Sequence, residues 1–315
     1  MKKILITGAA GNIGSALTLA LCERKKYFVL GVDNLSTGSI LKLPPQTTEN
    51  FRFIKADVNN YSDISLIFLR YGFDFVFHFA AVVGVERTLA NPLLVLNDVR
   101  GIKNVLNLSK NVGVERVFYS SSSEVYGEPV SLPQNEETTP LNSRLPYAIV
   151  KNIGEAYFRS YFAEHGLDYT IFRLFNTYGP NQSEDFVIPK FLESALRNDP
   201  IPVYGDGLQT RTFCYVDDTV EPMIACLEGD YFINDVVNIG SDIEINILEL
   251  ARLIIKLTGS SSQIVHLPAL KEGDMTRRKP DITKMRGVLK RELVTLEEGI
   301  KRLLISKTAR NTFKL

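Results

Sequence analysis

A tyrosine and a lysine, Tyr147 and Lys151, lie four residues apart in a stretch that has the pattern of a helix. Four residues make about one helical turn, so both side chains project from the same face. A phenol ordinarily ionises near pH ~10, and a neighbouring ammonium lowers its pKa by favouring the phenolate. The pair is therefore a candidate general base for chemistry near neutral pH. Because this spacing also occurs on ordinary helices, the surrounding sequence must show whether the pair is catalytic.

A run of serines that ends in an acid precedes this pair, in the sequence SSSSEVYG at 120–127. Ser122 stands 25 residues before Tyr147, and its hydroxyl can hydrogen-bond a substrate oxygen beside the tyrosine. Ser122, Tyr147 and Lys151 would then form a proton relay for hydride transfer to nicotinamide. Glu124 is a further candidate acid or base. The alternatives are that the serines satisfy backbone groups at a strand end and that Glu124 is simply a charge after a strand.

The start of the chain predicts the site of a dinucleotide. Residues 2–7 read KKILIT, a short apolar run suited to a buried strand. The sequence GAAGNIG follows at 8–14, ahead of an amphipathic helix at about 13–23. Its glycines permit a tight turn and close approach to a pyrophosphate, which the amides of the helix N-terminus face. A second strand ends at Asp33, 19 residues beyond Gly14, where an acid hydrogen-bonds a ribose hydroxyl and favours NAD over NADP.

Composition argues against several other classes of protein. The 36 basic and 36 acidic residues balance, so neither a nucleic-acid nor a membrane surface is expected. The three cysteines and three histidines are scattered without metal-ligand spacing, which predicts no metal site and a reduced, cytoplasmic protein. The opening apolar run is too short for a signal peptide, and no stretch approaches the ~18 apolar residues of a membrane span.

Alternating strands and helices fill the first half of the chain. Apolar strand patterns occur at 51–57, 73–80, 115–122 and 169–175, and helical patterns near 62–71, after Pro92 and at 147–165. This order predicts an α/β fold with a doubly wound parallel sheet of the Rossmann type and a smaller α/β substrate domain. We assign residues 1–175 plus about 211–240 to the NAD-binding Rossmann domain, and 176–210 and 241–315 to the substrate domain. Ligands of such sheets lie beyond the carboxyl ends of the strands, where Asp57, Ala80, Ser122 and Asn176 should converge.

Taken together, these residues resemble the extended short-chain dehydrogenase/reductase family of nucleotide-sugar epimerases, dehydratases and decarboxylases over nearly the whole chain. TGAAGNIGS at 7–15 resembles the family's glycine motif. Asp57-Val58 resembles the pair near the adenine, and HFAA at 78–81 resembles the segment behind the nicotinamide. Ser122, Tyr147 and Lys151 match the catalytic triad. The predicted cofactor residues are Gly8, Gly11, Asn12, Ile13, Gly14, Asp33, Asn34, Asp57, Val58, Ala80, Ala81, Tyr147 and Lys151.

The resemblance also implies a nucleotide-sugar substrate, linked to UDP, GDP or dTDP. FNTYGP at 175–180 resembles the stretch whose asparagine, here Asn176, reaches the diphosphate, and Arg211 matches a phosphate-binding arginine. Asp274 matches an aspartate that binds the nucleotide ribose in UDP-galactose 4-epimerases. The predicted substrate residues are Val83, Asn176, Arg211, Asp274 and Arg278, and the predicted catalytic residues are Ser122, Ser123, Glu124, Tyr147 and Lys151.

The family implies a shared first step, in which NAD oxidises the sugar at C4 to a 4-keto intermediate. If the ketone is then reduced from the other face, the enzyme is a 4-epimerase, and if a C5 carboxylate is lost, it is a UDP-hexuronate decarboxylase. Loss of water defines a 4,6-dehydratase, and reoxidation of the cofactor defines a net 4-dehydrogenase. Ser123-Glu124 and Arg278 resemble the decarboxylases, whereas 82–92 and 272–274 resemble the epimerases. We rank 4-epimerisation slightly above decarboxylation. Dehydratases usually carry an acid where Ser123 stands, so dehydration ranks third.

Two further hypotheses belong to other classes. A non-catalytic NAD-binding regulator on the same fold would have no need of Ser122, Tyr147 and Lys151. An NADP-dependent reductase would prefer the 2′-phosphate, which Asp33 would repel. The family also implies a homodimer built from helices near 93–112 and 147–165, with Leu93, Leu94, Leu96, Val99 and Ile102 as a candidate seam. The alternative for that seam is an intramolecular core face.

Overall fold

A computed structural model describes residues 1–269 and 277–312. Its strands, in chain order, are β1 Lys2–Thr7, β2 Tyr27–Asp33, β3 Phe51–Lys55, β4 Phe75–His78, β5 Arg116–Ser122, β6 Asp168–Leu174, β7 Thr177–Tyr178, β8 Ile201–Tyr204, β9 Thr210–Thr212, β10 Cys214–Tyr215, β11 Asp235–Ile239, β12 Glu244–Asn246 and β13 Ile264–Leu267. Two 3₁₀ turns cover Ile40–Lys42 and Ser123–Tyr126. The helices are α1 Asn12–Glu23, α2 Tyr61–Tyr71, α3 Val85–Ala90, α4 Pro92–Leu96, α5 Asp98–Val112, α6 Pro146–His165, α7 Val187–Arg197, α8 Val216–Glu228, α9 Ile247–Thr258, α10 Thr283–Val288 and α11 Leu296–Thr312.

The central sheet has seven strands in the order β11-β6-β5-β4-β1-β2-β3, and every neighbouring pair is parallel. Strand order reverses between β1 and β4, which defines a doubly wound sheet with its ligand crevice at that point. Alternate side chains of each strand enter two separate cores. Helices α1 and α8 pack over one core, and α2, α5 and α6 over the other. The predicted Rossmann-type α/β fold is confirmed.

Aromatic side chains stack across the middle of the sheet on one face. The ring of Phe118 on β5 lies 4.3 Å from that of Phe77 on β4 and 6.0 Å from that of Phe172 on β6, centroid to centroid and nearly parallel. All three side chains are fully buried. Such ring pairs stabilise beyond the area they bury. They fix the register of the three strands whose carboxyl ends carry the candidate catalytic residues.

Several predicted boundaries differ from the structure by a few residues, and two of these differences affect the site. The helical pattern after Pro92 is two helices, α4 and α5, which meet at Asn97. The interruption places Asp98 in the first turn of α5, where its carboxylate accepts a hydrogen bond from the backbone of Val82. The predicted strand at 51–57 ends at Lys55, because Asp57 turns its side chain back onto the backbone of Asn59.

The second half of the chain contributes β11 to the sheet, beside β6, while β8 and β13 form a separate parallel pair. The division of the chain into two domains stays a prediction. Across the described residues, none of the helices has both the length and the apolar character needed to cross a membrane. Cytoplasmic location and the lack of a nucleic-acid partner also stay predictions.

Candidate active site

The glycine turn between β1 and α1 is packed too closely for larger residues. Gly8 has a φ of +70°, and a Cβ there would lie 2.7 Å from the backbone nitrogen of Ala80. A Cβ on Gly14 would lie 2.2 Å from the carbonyl oxygen of Gly8. The side-chain oxygen of Asn12 is buried without a hydrogen-bond partner among the described residues, and no described side chain caps the first turn of α1. These features fit a helix N-terminus that receives a phosphate.

Asp33 lies at the carboxyl end of β2, as predicted. Its carboxylate accepts hydrogen bonds from the backbone N–H of Ala10 at 3.0 Å and of Leu35 at 2.8 Å. Each carboxylate oxygen has two lone pairs, so the group can still accept ribose hydroxyls. The predicted neighbours Asn34 and Asp57 meet across the ends of β2 and β3, with the amide of Asn34 donating to Asp57 at 3.2 Å. Val58 is buried beside them.

The strand that carries HFAA ends beside the glycine turn. Thr7 accepts hydrogen bonds from the backbone N–H of Phe79 and Ala80, and its hydroxyl lies 2.8 Å from Nδ1 of His78. Since the Thr7 oxygen accepts twice, its own proton goes to His78, and burial lowers the pKa of that imidazole to about 3. Ala80 and the predicted residues Ala81 and Val83 follow as a half-buried segment. His78 is therefore a neutral structural residue rather than an acid.

Ser122, Tyr147 and Lys151 come together at the end of β5. A side-chain hydrogen bond joins Ser122 to Tyr147, and the Ser122 oxygen also accepts from the backbone N–H of Glu124 at 3.2 Å. The Lys151 ammonium donates to the backbone oxygen of Ser120 at 2.6 Å and lies 5.7 Å from the centroid of the Tyr147 ring. Helix α6 carries both residues one turn apart. The arrangement is that of a proton relay.

The pKa of Tyr147 does not shift in the predicted direction. Burial raises it well above its ordinary value, the charge of Glu124 adds to the increase, and the hydrogen bond from Ser122 opposes it. The ammonium of Lys151 points to the carbonyl oxygen of Ser120 rather than to the phenol. Burial lowers the pKa of Lys151 to about 8, while Asp98 acts in the opposite sense. The prediction that Lys151 makes this phenol acidic is wrong for the protein alone.

A buried ion pair joins the predicted residues Glu124 and Arg278. The guanidinium of Arg278 donates to Oε1 of Glu124 at 2.9 Å. The side chain of Arg278 is only 7% exposed and that of Glu124 is 15% exposed. Both charges act on the pKa of Tyr147, Glu124 raising it and Arg278 lowering it, and the turn that carries Glu124 packs against helix α6. Ser123 is buried at the start of the same turn. The structure thus gathers the predicted catalytic residues and Arg278 at one edge of the sheet.

The remaining substrate residues occupy a neighbouring region. The amide of Asn176 donates to the backbone oxygen of Thr212 at 3.1 Å, which ties the end of β6 to β9. Arg211 lies on β9 and is buried. Asn176 and Arg211 therefore lie on adjacent elements, as a shared role at a diphosphate requires. Asp274 lies outside the described residues.

Four buried residues behind the relay were missed at the level of sequence. Glu155 on α6 accepts from Arg173 on β6 at 2.9 and 2.8 Å and from Ser121 on β5 at 2.7 Å. A third guanidinium nitrogen of Arg173 donates to the hydroxyl of Tyr126, which donates to Asn238 on β11 at 2.8 Å. Their positions are too far apart in the chain to form a motif. The one local signal among them is that Tyr126 stands two positions after Glu124.

The fold and site define a class: a Rossmann-type oxidoreductase fold with a Ser-Tyr-Lys relay at the carboxyl ends of its strands. Residues 4–240 match the model of the NAD dependent epimerase/dehydratase family, and the chain belongs to that family. Its membership confirms the predictions of an enzyme and of NAD as the cofactor.

Individual relatives differ in the reactions for which they are named. The chain is 36% identical over 315 residues to the UDP-N-acetyl-alpha-D-glucosaminuronate decarboxylase of Bacillus cytotoxicus, covering 95% of this chain and 96% of that protein. It superposes with a TM-score of 0.90 and 32% identity on the UDP-glucose 4-epimerase of Thermotoga maritima, solved with UDP-glucose, over 99% of both chains. The UDP-glucuronic acid 4-epimerase of Bacillus cereus, solved with UDP-glucuronic acid and NAD, gives a TM-score of 0.87 and 30% identity over 98% and 99% of the two chains.

Replacing Gly14 by alanine is expected to weaken NAD binding while leaving the fold intact. The new Cβ would meet the Gly8 carbonyl at 2.2 Å, and overpacking of this kind costs about 1–3 kcal/mol, or roughly 5- to 150-fold in affinity. Titration calorimetry with NAD measures the loss. Gly287→Ala is the matched control, because a Cβ at Gly287 meets nothing within 4 Å. Equal NAD affinity in the two variants would contradict the assignment of the turn.

Proposed function

We propose that this protein oxidises a UDP-linked hexuronate at C4, releases the C5 carboxylate as carbon dioxide and reduces the ketone again. The observation that carries the proposal is the buried pair of Glu124 and Arg278 beside Tyr147. C5 is bonded to C4, so a carboxylate on C5 lies next to the hydroxyl that Tyr147 serves. A guanidinium in that place can hold it, since its planar donors match a carboxylate.

The protein's own residues hold the reactants and move one proton. Gly8, Gly11 and the first turn of α1 would hold the pyrophosphate of NAD, and Asp33 a ribose. When bound, NAD would supply the hydride acceptor for C4 and the hydride for the final reduction. Tyr147 takes the proton of the C4 hydroxyl, with Ser122 hydrogen-bonded to the same oxygen.

Loss of carbon dioxide needs little help once C4 is a ketone. The C5–C6 bond breaks, its electron pair passes to the C4 oxygen as an enolate, and C5 then takes a proton. Ser122 and Tyr147 are placed to stabilise the enolate oxygen by hydrogen bonding. Glu124 adds a like charge beside the substrate carboxylate, which favours departure of a neutral molecule, and C5 takes its proton from water. Tyr147 finally returns its proton to the C4 oxygen.

The second candidate is 4-epimerisation, which ranked first on the sequence. The likeness to 4-epimerase structures over nearly the whole chain favours it. The 4-epimerase of Bacillus cereus was solved with a hexuronate, so a bound carboxylate does not by itself decide the outcome. We rank decarboxylation first because the Glu124–Arg278 pair places a guanidinium that can hold the C5 carboxylate together with a carboxylate that would lie beside it.

The test is the fate of the carboxylate. When the protein is incubated with NAD and UDP-glucuronate or UDP-N-acetylglucosaminuronate, we expect it to release carbon dioxide and to form a UDP-pentose type of product. NMR follows the formation of that product. Arg278→Met should lower the rate of release about 10²- to 10³-fold, as does loss of one preorganised donor. Arg277→Met is the matched control, since Arg277 is 52% exposed and pairs with Glu244.

A C4 diastereomer formed without carbon dioxide would instead establish the second candidate. Turnover of UDP-hexoses alone, with neither hexuronate consumed, would overturn the role given to Arg278. Equal rates for Arg278→Met and Arg277→Met would do the same.

Assembly as a homodimer stays a prediction. Of the predicted seam, Leu93, Leu94 and Leu96 are exposed, Val99 is half-buried, and Ile102 belongs to the core under α5. The exposed apolar residues open to such a seam are therefore Leu93, Leu94 and Leu96 on α4, together with Ile153 and Phe162 on α6.

A further inference from the structure

A buried asparagine links the turn that carries Glu124 to the segment that carries Arg278. The side-chain oxygen of Asn238 accepts the hydroxyl of Tyr126 at 2.8 Å. Its amide nitrogen donates to the backbone oxygen of Gln134 at 2.9 Å and to that of Asp281 at 3.2 Å. Asn238 is fully buried, so these three bonds fix the orientation of its amide.

The segment after Arg278 is also fastened by its backbone. The N–H of Gln134 donates to the oxygen of Lys279 at 2.7 Å, and the N–H of Asp281 donates to the oxygen of Gln134 at 2.8 Å. Pro280 lies between them in a parallel bridge to Gln134. The amide of Asn238 joins this bridge from the side of β11, through the backbone oxygens of Gln134 and of Asp281, three residues beyond Arg278.

The other end of the link is equally rigid. Tyr126 belongs to the 3₁₀ turn Ser123–Tyr126 that contains Glu124. Its hydroxyl accepts from Arg173 at 2.9 Å, and Arg173 pairs with Glu155, which accepts from Ser121 beside Ser122. One connected set of hydrogen bonds therefore runs from Ser121, beside the relay, through Tyr126, Asn238 and Gln134 to the backbone of Lys279, next to Arg278.

We infer that Asn238, acting with Tyr126, is a positioning residue that sets Arg278 against Glu124 and so adapts the site to substrates that carry a carboxylate on C5. The inference rests on the proposed function, because it assigns that carboxylate to Arg278. A planar guanidinium must match its carboxylate in direction as well as distance, and small displacements at a reacting centre are costly. A sugar without the carboxylate does not bind Arg278, so its affinity should not depend on Asn238.

Two variants test the inference, Asn238→Asp and Tyr126→Phe. The first replaces an N–H donor that serves two carbonyl oxygens by a carboxylate oxygen that repels them. The second removes only one hydroxyl and keeps the ring. Tyr178→Phe is the matched control, because Tyr178 is a buried tyrosine whose hydroxyl has no hydrogen-bond partner in the part of the chain that the structure describes.

The measurements are the melting temperature and, in a Tyr147→Phe background that does not consume the substrate, the Kd values for UDP-glucuronate and UDP-glucose by titration calorimetry with NAD present. We expect each of the two variants to bind UDP-glucuronate at least about tenfold more weakly, the equivalent of one lost hydrogen bond to a charged group. Binding of UDP-glucose should stay within about twofold. Tyr178→Phe should leave the ratio of the two Kd values unchanged.

Equal weakening for both ligands, with a lowered melting temperature, would mean that Asn238 only supports the fold and would overturn the inference. Unchanged Kd values in Tyr126→Phe and Asn238→Asp would overturn it as well. Failure of the proposed reaction is seen separately, in the parent protein, as binding of UDP-glucuronate without release of carbon dioxide. A ligand-selective loss in the variants would support the positioning role even then.

Discussion

Tyr147→Phe should lose about 10²- to 10⁴-fold in turnover, the usual contribution of a positioned general acid–base group. The phenol hydroxyl is hydrogen-bonded to Ser122 and is the proton acceptor for the C4 hydroxyl in the proposed reaction. Phenylalanine keeps the ring that lies 5.7 Å from the Lys151 ammonium, so the cleft should keep its shape. NAD affinity, measured by calorimetry, should change by less than about threefold, because the glycine turn and Asp33 are untouched.

The control for this variant lies on the same helix. Tyr161 donates its hydroxyl to Asn107 at 2.7 Å, away from Ser122 and Lys151, and Tyr161→Phe should retain nearly full activity. Turnover is measured as consumption of UDP-glucuronate and as transient reduction of bound NAD by its absorbance. A Tyr147→Phe enzyme that still reduces NAD at the parent rate would show that another group takes the proton, and the relay assigned to Ser122, Tyr147 and Lys151 would have to be abandoned.

The sequence predicted the positions of the site more accurately than its electrostatics. Parallel strands bring their carboxyl ends to one edge whatever lies between them, so Asp33, Asp57, Ala80 and Ser122 were placed by strand patterns and motifs alone. Spacing on a helix likewise placed Tyr147 and Lys151. These inferences depend on backbone geometry, which local sequence specifies well.

The pKa of Tyr147 depends instead on burial and on charges brought from elsewhere in the chain. A lysine one helical turn from a tyrosine can direct its ammonium elsewhere. The ammonium of Lys151 donates to the backbone oxygen of Ser120 rather than to the phenol. Arg278 and Glu124 both act on the pKa of Tyr147, although these two residues are 154 positions apart in the chain. For the same reason the partnership of Tyr126 with Asn238, 112 residues away, has no sequence pattern. Such pairings are set by packing, and only the folded chain shows them.

Arg173→Met should lower the free energy of unfolding by up to about 3–5 kcal/mol, the cost of removing one partner of a buried pair, because Glu155 would keep only the half-exposed Arg159 as a cationic partner. Arg173 and Glu155 are 2% and 0% exposed and form two parallel hydrogen bonds. Burial alone would raise the pKa of Glu155, but the bonds from Arg173 and Ser121 lower it below its ordinary value. The methionine keeps most of the apolar stem of Arg173, so the loss should reflect the charge. Urea unfolding measures it.

The sign of the pH dependence separates this electrostatic account from a simple packing defect. Because the pKa of Glu155 is lower in the folded than in the unfolded protein, its contribution is present above the ordinary Glu value near ~4.3 and is lost as the pH falls through the folded value. The difference between parent and Arg173→Met should therefore shrink in acid, whereas a packing loss would not. The double variant Arg173→Met with Glu155→Leu should recover much of the stability, since an apolar pair can replace a buried ion pair. Glu298→Gln, which breaks the exposed pair with Arg302, should cost less than about 1 kcal/mol, and a similar cost for both pairs would refute the argument.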